Sequence, residues 1–301
     1  MKKSVLFVIC VVLFTLIITS CQSPSVSGSK SAPETPSPTE ETTLSEEPEE
    51  SNEPEKIVYK QSPYLEGKGL PPVEERLPKE PKIAYEMPEE FDMEIGTYGG
   101  TYRSAHSAAE WDPDVFCAAN EALLGTPGAL GVEITGNVLK GYDVSADQKE
   151  FTFYLREGLK WSDGEPVTTE DFRFVWEDVI NNSELTPIFP SWLNSAAKAD
   201  GKPAVFEFLD EYTFKVRFDE PYGGFPVRIA IRGWTGYTEL LKPAHYLKQF
   251  HKKYADANEL EEKIKEVGLQ PGEWVSLFHD KDIVNWELFS TKAIGFPALY
   301  P

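Results

Sequence analysis

The chain is poor in the residue types on which disulfide scaffolds and most catalytic sites depend. Its 301 residues include three cysteines, four histidines and three methionines. Cys10 and Cys21 lie close to the N-terminus, so Cys117 is alone in the remainder and an intramolecular disulfide is excluded there. We expect Cys117 to be a buried structural thiol rather than a nucleophile.

Catalytic motifs are absent as well. None of the four histidines shows the i, i+4 spacing with glutamate of a zinc protease helix, and His245 and His251 are six residues apart. The chain contains no Gly-x-Ser-x-Gly elbow and no Walker loop. In so acidic a chain, neighbouring carboxylates such as Asp112, Asp114 and Glu121 are expected by chance on solvated faces. The sequence therefore predicts no enzyme and no metal site.

Basic residues are few, with 29 Lys and Arg against 50 Asp and Glu, and the formal net charge is −21 at pH 7. Residues 57–301 retain −16 after the first 56 residues are set aside. A charge of this sign argues against nucleic acid and against anionic lipid surfaces as partners. It is compatible with cationic ligands, although acidity that serves solubility alone is the alternative.

Long hydrophobic runs are confined to residues 5–18, which follow Lys2 and Lys3 and are too short for an ordinary membrane span. The run ends in the letters ITSC, which resemble a bacterial lipobox with its cysteine at Cys21. We expect residues 1–21 to be a lipoprotein signal peptide and Cys21 to carry two acyl chains, enough for stable attachment to the membrane. An uncleaved anchor helix and a plain secretory signal are the alternatives. All three place the remaining residues outside the cytoplasm.

Residues 22–56 are predicted to be a disordered tether. They are rich in Ser, Pro, Thr and Glu, have almost no aliphatic or aromatic residue, and carry a net charge of −7. Such a composition cannot bury enough apolar surface to offset the entropy lost on ordering. Residues 57–94 are predicted to follow as an extended, proline-rich segment that lies over the domain surface.

The most informative pattern lies in residues 151–179, which read FTFYLREGLKWSDGEPVTTEDFRFVWEDV. Phe151, Phe153 and Leu155 alternate with Thr and Tyr, which is the period of a half-buried strand. Residues 162–164, Ser-Asp-Gly, predict a tight turn. The segment therefore begins as a strand that leads into a turn.

A capped helix is predicted to follow the turn. Thr168 and Asp171 stand three residues apart, as in a capping box with an acidic third residue. Apolar residues at helical spacing then form a stripe that consists of Phe172, Val175, Trp176 and Val179.

The complete string resembles the signature of the family 5 extracellular solute-binding proteins, the peptide- and oligopeptide-binding lipoproteins that feed ABC importers. The matching features are Thr152-Phe153, Leu155-Arg156, Gly158, Lys160-Trp161, Asp163-Gly164, Pro166-Val167-Thr168, Glu170-Asp171-Phe172 and Trp176.

The resemblance implies an α/β fold that forms the first lobe of a two-lobed, periplasmic-binding-protein-like receptor of type 2, in the large cluster with an extra subdomain. Residues 95–255 would form this lobe, and residues 256–301 a helical segment and the incomplete start of the remaining lobe. Relatives are much longer, and residues 295–301 are apolar with no polar cap. We therefore expect an exposed hydrophobic end and a missing second lobe.

The resemblance also implies a function. It predicts a lipid-anchored, extracytoplasmic substrate-binding protein on the outer face of the cytoplasmic membrane, which captures peptides or oligopeptides by closure and docks on ABC permease subunits. An oligosaccharide is the alternative ligand within the family. A surface lipoprotein for signalling or adhesion is the alternative outside transport. No cofactor is implied.

Candidate ligand-binding residues come from two kinds of argument. Ligands gather at loops that follow strands, so His106, Ser107 and Trp111, after the strand predicted at residues 96–103, are candidates, with local packing as the alternative. The resemblance adds Phe174, because some peptide binders carry a ligand-contacting aromatic at the equivalent position. Packing within the lobe is its alternative.

Three further aromatic residues lie in irregular or glycine-containing stretches. These residues, Trp192, Trp234 and Tyr237, suit stacking on peptide side chains or sugar rings, with core anchoring as the alternative. Elsewhere, helices are predicted over residues 115–124, 240–254 and 259–267, the last capped by Asn258. A strand is predicted over residues 137–142 and a hairpin over residues 205–218.

Overall fold

The computed structural model describes residues 59–82, 97, 99–101, 103, 121–126, 133–231, 235–284 and 295–299. All of them belong to one compact unit, Ile57–Pro301. Six strands occur in the described residues, namely β1 (Leu124–Gly125), β2 (Thr135–Gly136), β3 (Leu139–Val144), β4 (Glu150–Leu155), β5 (Val205–Phe208) and β6 (Thr213–Arg217). The α-helices of the same residues are α1 (Val73–Arg76), α2 (Thr169–Phe174), α3 (Phe225–Ala230), α4 (Ala244–Leu247), α5 (Ala257–Glu266) and α6 (Trp274–Lys281).

Four strands form an antiparallel sheet in the order β3-β4-β6-β5, and β1 pairs with β2 in a separate ribbon. Every second residue of β4 is buried, as the alternation predicts, and Phe153 lies opposite Phe214 of β6. The rings of Phe153 and Phe214 stack with centroids 5.2 Å apart. The predicted hairpin is confirmed, since β5 and β6 pair across residues 209–212. One face of the sheet is therefore an aromatic core, and the other carries charged and polar side chains.

Helix α2 packs against the core face of this sheet. Phe172 contacts Phe214 with ring centroids 4.6 Å apart. The chain then widens into a π-helical turn at Val175–Ile180, where Trp176 stacks on Phe206 at 4.2 Å. The other side of α2 is covered by residues 250–254 and by α6, so the helix is buried on both sides.

The proline-rich segment crosses the ends of β3 and β4. The backbone N–H of Lys79 donates to the carbonyl of Glu157 at 2.9 Å, and the guanidinium of Arg156 donates to the carbonyl of Glu80 at 2.7 Å. The ammonium of Lys82 donates to the side chain of Asn137 at 2.6 Å. These bonds attach residues 79–82 to the sheet, so this segment forms part of the surface described below.

Several predicted elements differ from the structure. Of the helix predicted over residues 240–254, the structure contains only α4 and a 3-10 turn at Lys248–Phe250. Helix begins after Pro243, because a proline inside a helix removes a backbone hydrogen bond. Leu124, predicted to end a helix, belongs to strand β1. Helix α5 is capped by Asp256 rather than by Asn258, since the Asp256 carboxylate accepts from two backbone N–H groups of the first turn. Within the described residues, no helix has both the length and the apolar character that crossing a membrane requires.

The strand predicted at residues 96–103 is not found in the part of it that the structure describes. Residues 97, 99–101 and 103 are irregular, and the remaining positions lie outside the described residues. Gly99 and Gly100 have φ values of 133° and 82°, which a regular strand does not contain.

Candidate functional site

The strand–turn–helix corner predicted at residues 151–179 is present. Trp161 is fully buried at its centre, with 0% of its surface exposed. Its backbone N–H donates to Glu165 at 2.8 Å, and Gly164, at φ 96°, donates back to Trp161 at 2.9 Å. The left-handed φ of Gly164 is the reason that the turn requires glycine. The corner therefore places a rigid tryptophan between the sheet and α2.

Asp171 joins this corner to the segment that precedes α4. Its carboxylate accepts hydrogen bonds from the backbone N–H of Thr168 at 3.0 Å, which completes the predicted capping box. It also accepts from the Trp161 indole N–H at 3.3 Å and from the Ala244 N–H at 2.9 Å. Burial raises the pKa of Asp171, and these hydrogen bonds act in the opposite direction. The buried carboxylate is thus a structural junction.

Residues 295–299 lie against the same corner. Ser162 and Ala298 exchange two hydrogen bonds, from Ser162 N–H to the Ala298 carbonyl at 2.7 Å and from Ala298 N–H to Ser162 Oγ at 3.1 Å. Phe296 is buried and meets Tyr246 edge-on. The expectation of an exposed hydrophobic end is therefore wrong for residues 296–299, because the corner provides both an apolar pocket and backbone partners.

A cavity of about 250 Å³ lies beside this corner, under the proline-rich segment. Glu121, Asn137, Arg156, Lys82 and Leu299 contribute to its lining, and we call it the Glu121 cavity. Asn137 connects its charged groups, because its side-chain amide donates to Glu121 Oε2 at 2.7 Å and its Oδ1 accepts from Lys82. Arg156 donates to the Asn137 carbonyl at 2.8 Å. A carboxylate and two cations are thus held close together.

The chemistry of the Glu121 cavity suits binding rather than bond cleavage. Glu121 can accept from an ammonium or a hydroxyl group, and Lys82 and Arg156 can donate to a carboxylate or a hydroxyl group. Within the described residues, no three His, Cys, Asp or Glu side chains are grouped to hold a metal ion. The cavity therefore presents both signs of charge to a polar ligand.

Tyr237 is the one predicted site residue that the structure places next to this cavity. Its backbone N–H donates to the Glu121 carbonyl at 2.8 Å, and its hydroxyl accepts from the Leu299 N–H at 3.3 Å. Burial raises the pKa of Tyr237 to about 12. The ring is buried, with its centroid 6.5 Å from that of Trp161, so Tyr237 supports the wall of the cavity from behind.

Phe174 and Trp192 lie elsewhere. Phe174 is 1% exposed and packs against His251, Tyr254 and Phe278, so it offers no surface to a ligand in this structure, and the packing alternative describes its environment. Trp192 is half-buried and stacks on Phe225. The remaining predicted site residues lie outside the described residues and stay predictions, namely His106, Ser107, Trp111, Trp234 and the lipidation site Cys21.

Sequence reasoning missed Asn137, Arg156 and Lys82 as site residues. Arg156 belongs to the signature string, which was a usable signal, whereas Lys82 lies in a segment without regular pattern. Asn137 is one of few buried polar residues, and this burial becomes visible only in the folded chain.

Comparisons with known proteins agree with the described fold. The family model described as bacterial extracellular solute-binding proteins, family 5 Middle, matches residues 133–273. The periplasmic alpha-galactoside-binding protein of Rhizobium meliloti is 34% identical over 225 residues, which cover 68% of this chain and 30% of that protein. The periplasmic oligopeptide-binding protein OppA of Salmonella typhimurium is 34% identical over 107 residues, which cover 31% of this chain and 20% of that protein.

A solved structure of an oligopeptide-binding protein OppA superposes with a TM-score of 0.61 and 34% identity, over 75% of this chain and 33% of that chain. The chain thus spans a third or less of the length of these relatives. The similarity confirms the predicted fold class, a mixed α/β lobe of the periplasmic-binding-protein type. The chain belongs to the bacterial extracellular solute-binding proteins, family 5.

Proposed function

We propose that this chain is part of the substrate-binding protein of an ABC importer, and that it captures oligopeptides outside the cytoplasm for delivery to permease subunits in the membrane. The observation that carries this proposal is the 34% identity and TM-score of 0.61 to an oligopeptide-binding protein OppA over 75% of this chain. No covalent step is involved. The work of the protein is selective binding.

The Glu121 cavity is the part of the described surface that best suits a peptide. The Glu121 carboxylate matches a peptide ammonium group, and Lys82 and Arg156 match carboxylate groups or main-chain carbonyls. The net negative charge of residues 57–301 further favours peptides with basic side chains. His106, Ser107 and Trp111 stay candidate ligand contacts on the sequence argument alone.

An α-galactoside is the second candidate ligand. The 225 residues aligned with the periplasmic alpha-galactoside-binding protein are about twice the 107 aligned with the Salmonella OppA. Within the Glu121 cavity, sugar hydroxyls can donate to Glu121 and accept from Lys82. The same surface chemistry therefore serves either class.

A thermal-shift titration of the full chain against tri- to pentapeptides and against raffinose distinguishes the two classes. A ligand that binds only the folded state stabilises it by about 2.7 kcal/mol at a hundred times its Kd. We expect peptides to stabilise the wild type. Glu121→Gln should weaken this stabilisation, and Glu266→Gln, on an exposed face of α5, should leave it unchanged. Stabilisation by raffinose alone, weakened by Glu121→Gln, would replace the peptide assignment, and stabilisation by neither ligand would refute solute capture by this lobe.

We also propose that Cys21 is acylated and that residues 22–56 tether the lobe to the membrane. The observation behind this is the ITSC sequence that follows an apolar run. Mass spectrometry of the protein produced in a bacterial host should show diacylglyceryl modification at Cys21, with the Cys21→Ser variant recovered unmodified. A soluble wild-type chain whose Cys21 carries no lipid would contradict the anchor.

A further inference from the structure

A second concave surface lies on the solvent face of the sheet, away from the aromatic core. It is an open groove of about 530 Å³ at the place where β3 and β4 pass the proline-rich segment. Gly141, Tyr154 and Thr213 of the strands line it, and Tyr212 adds a second aromatic ring. We call it the tyrosine groove. Its volume lies within the range of about 300–1,000 Å³ that is usual for ligand pockets.

The groove is open at Gly141, which has no side chain. A Cβ atom at Gly141 would meet no atom within 4 Å, so the space above it is open. Its φ is outside the left-handed region, so the backbone itself does not require glycine there. Tyr154 is held in place next to this space, because its hydroxyl donates to Asp143 Oδ2 at 2.6 Å. The Tyr154 ring is therefore held in a fixed orientation beside the open space above Gly141.

The charged residues of the groove already have partners of opposite charge. Lys79 pairs with Glu157, and Lys140 pairs with Glu80 at 2.8 Å. Asp143 is occupied by the Tyr154 hydroxyl. Two lysines and three carboxylates leave no excess of positive charge for a phosphate or another anion. Exposed ion pairs contribute only about 0–1 kcal/mol each, so their oxygen and nitrogen atoms can also bind hydroxyl groups at little cost.

From these features we propose that the tyrosine groove binds a pyranose ring of a neutral glycan. The apolar C–H face of the sugar packs on Tyr154 or Tyr212, and its hydroxyls bind the carboxylates and lysines of the rim. This combination of aromatic rings and paired charges fits an uncharged ligand with many hydroxyl groups.

The tyrosine groove is separate from the Glu121 cavity. Lys79 and Glu80 line the groove, whereas Pro81 and Lys82 line the cavity, so the proline-rich segment contributes to both from different residues. That segment precedes residues 133–273, which the family model matches. Lys79 and Glu80, which lie outside the matched region, thus complete a groove whose lining differs from that of the Glu121 cavity.

An NMR titration of the ¹⁵N-labelled full chain with maltotriose and with chitotriose tests the proposal. We expect saturable shifts of the backbone amides of Gly141, Tyr154 and Thr213. Gly141→Val fills the floor without changing the required backbone conformation, and it should weaken binding about tenfold, the equivalent of losing one aromatic stacking contact. Thr152→Val, on the same sheet face but outside the lining, is the matched control and should bind like the wild type.

Saturable shifts at these amides that Gly141→Val weakens and Thr152→Val does not would support the proposal. The proposal is overturned if neither sugar shifts these amides, if the shifts occur only around Glu121 and Asn137, or if Gly141→Val binds as well as Thr152→Val. Stabilisation by peptides should be the same in Gly141→Val as in the wild type. Loss of sugar binding in the groove and loss of peptide capture are therefore read out separately.

Discussion

The carboxylate of Asp171 accepts a hydrogen bond from the backbone N–H of Ala244 at 2.9 Å, across 73 positions of the sequence. The same carboxylate caps α2 and receives the indole N–H of Trp161. One buried side chain thus ties the signature corner to the segment that leads into α4. A hydrogen bond between His245 Nε2 and Asp163 Oδ2, at 2.8 Å, and an ion pair between Lys248 and Glu170, at 2.7 Å, lie around it at the surface.

Replacing Asp171 with alanine should therefore destabilise the unit strongly. The change removes a helix cap and leaves buried N–H donors without an acceptor, for a loss of about 3 kcal/mol in the free energy of unfolding. Glu170→Ala removes two surface ion pairs, with Lys248 and Arg173, and should cost about 0–1 kcal/mol for each. Urea denaturation of both variants measures the difference. Equal effects would show that Asp171 is not the junction described here.

His251 should make stability depend on pH. The ring is buried among Phe174, Trp274 and Phe278, its Nδ1 accepts from the Lys253 N–H at 3.1 Å, and burial lowers its pKa. Because the pKa is lower in the folded state, the unfolded chain binds the proton first as the pH falls below about 6.5. The histidine's contribution is therefore complete above that pH and is lost as the pH falls toward the folded pKa.

The measurement is the free energy of unfolding between pH 7.5 and 5 for the wild type, His251→Gln and His279→Gln. His251→Gln should have a flatter profile, and His279→Gln, at an exposed position, should follow the wild type. The charged groups that act on His251 are Asp178, Lys252 and Lys253. A wild-type slope that His251→Gln leaves unchanged would assign the pH dependence to another group.

Lys242 and Asp282 form a buried ion pair at 2.6 Å, with 7% and 11% of their side chains exposed. The pair connects the segment before α4 to the end of α6. Lys242→Met alone leaves a buried carboxylate without its cation and should cost about 3–5 kcal/mol. The double variant Lys242→Met with Asp282→Leu should recover most of this loss. A double-mutant cycle by denaturant unfolding tests it, and additive losses in the double variant would argue against a coupled buried pair.

Ala197 adopts a left-handed backbone conformation with φ 56°. This conformation costs a residue with a Cβ about 1–2 kcal/mol, and glycine avoids the cost. Ala197→Gly should therefore be more stable than Ala199→Gly by about 1 kcal/mol, since Ala199 is also exposed but is not left-handed. Thermal unfolding compares the two variants directly. Equal melting temperatures would indicate that the loop relaxes without strain.

Local sequence patterns predicted the elements whose formation depends mainly on neighbouring residues. The alternation at residues 151–155, the Gly164 turn and the Thr168–Asp171 capping box each formed as predicted. The hairpin of β5 and β6 formed as well. These elements depend on contacts within a few residues or on a period of two, which the sequence displays directly.

Predictions that depended on distant contacts succeeded less well. Phe174 lies on the side of α2 opposite the apolar stripe, which suggested an accessible face, but α6 and residues 250–254 cover that side. Phe296 and Leu299 were expected to be exposed, but the Trp161 corner and Tyr246 provide a place for them. A helical wheel cannot show that a helix is enclosed from both sides.

By itself, the sequence determined the family, the strand–turn–helix corner and the acidic character of the surface, because these follow from local order and composition. Only the tertiary structure decided that Glu121, Asn137, Arg156 and Lys82 meet in one cavity and that Gly141 opens a groove beside Tyr154. The physical reason is that both concave surfaces depend on where residues 79–82 cross the sheet. That crossing is set by hydrogen bonds to residues more than fifty positions away, such as the bond between Lys82 and Asn137, which leave no pattern in the sequence.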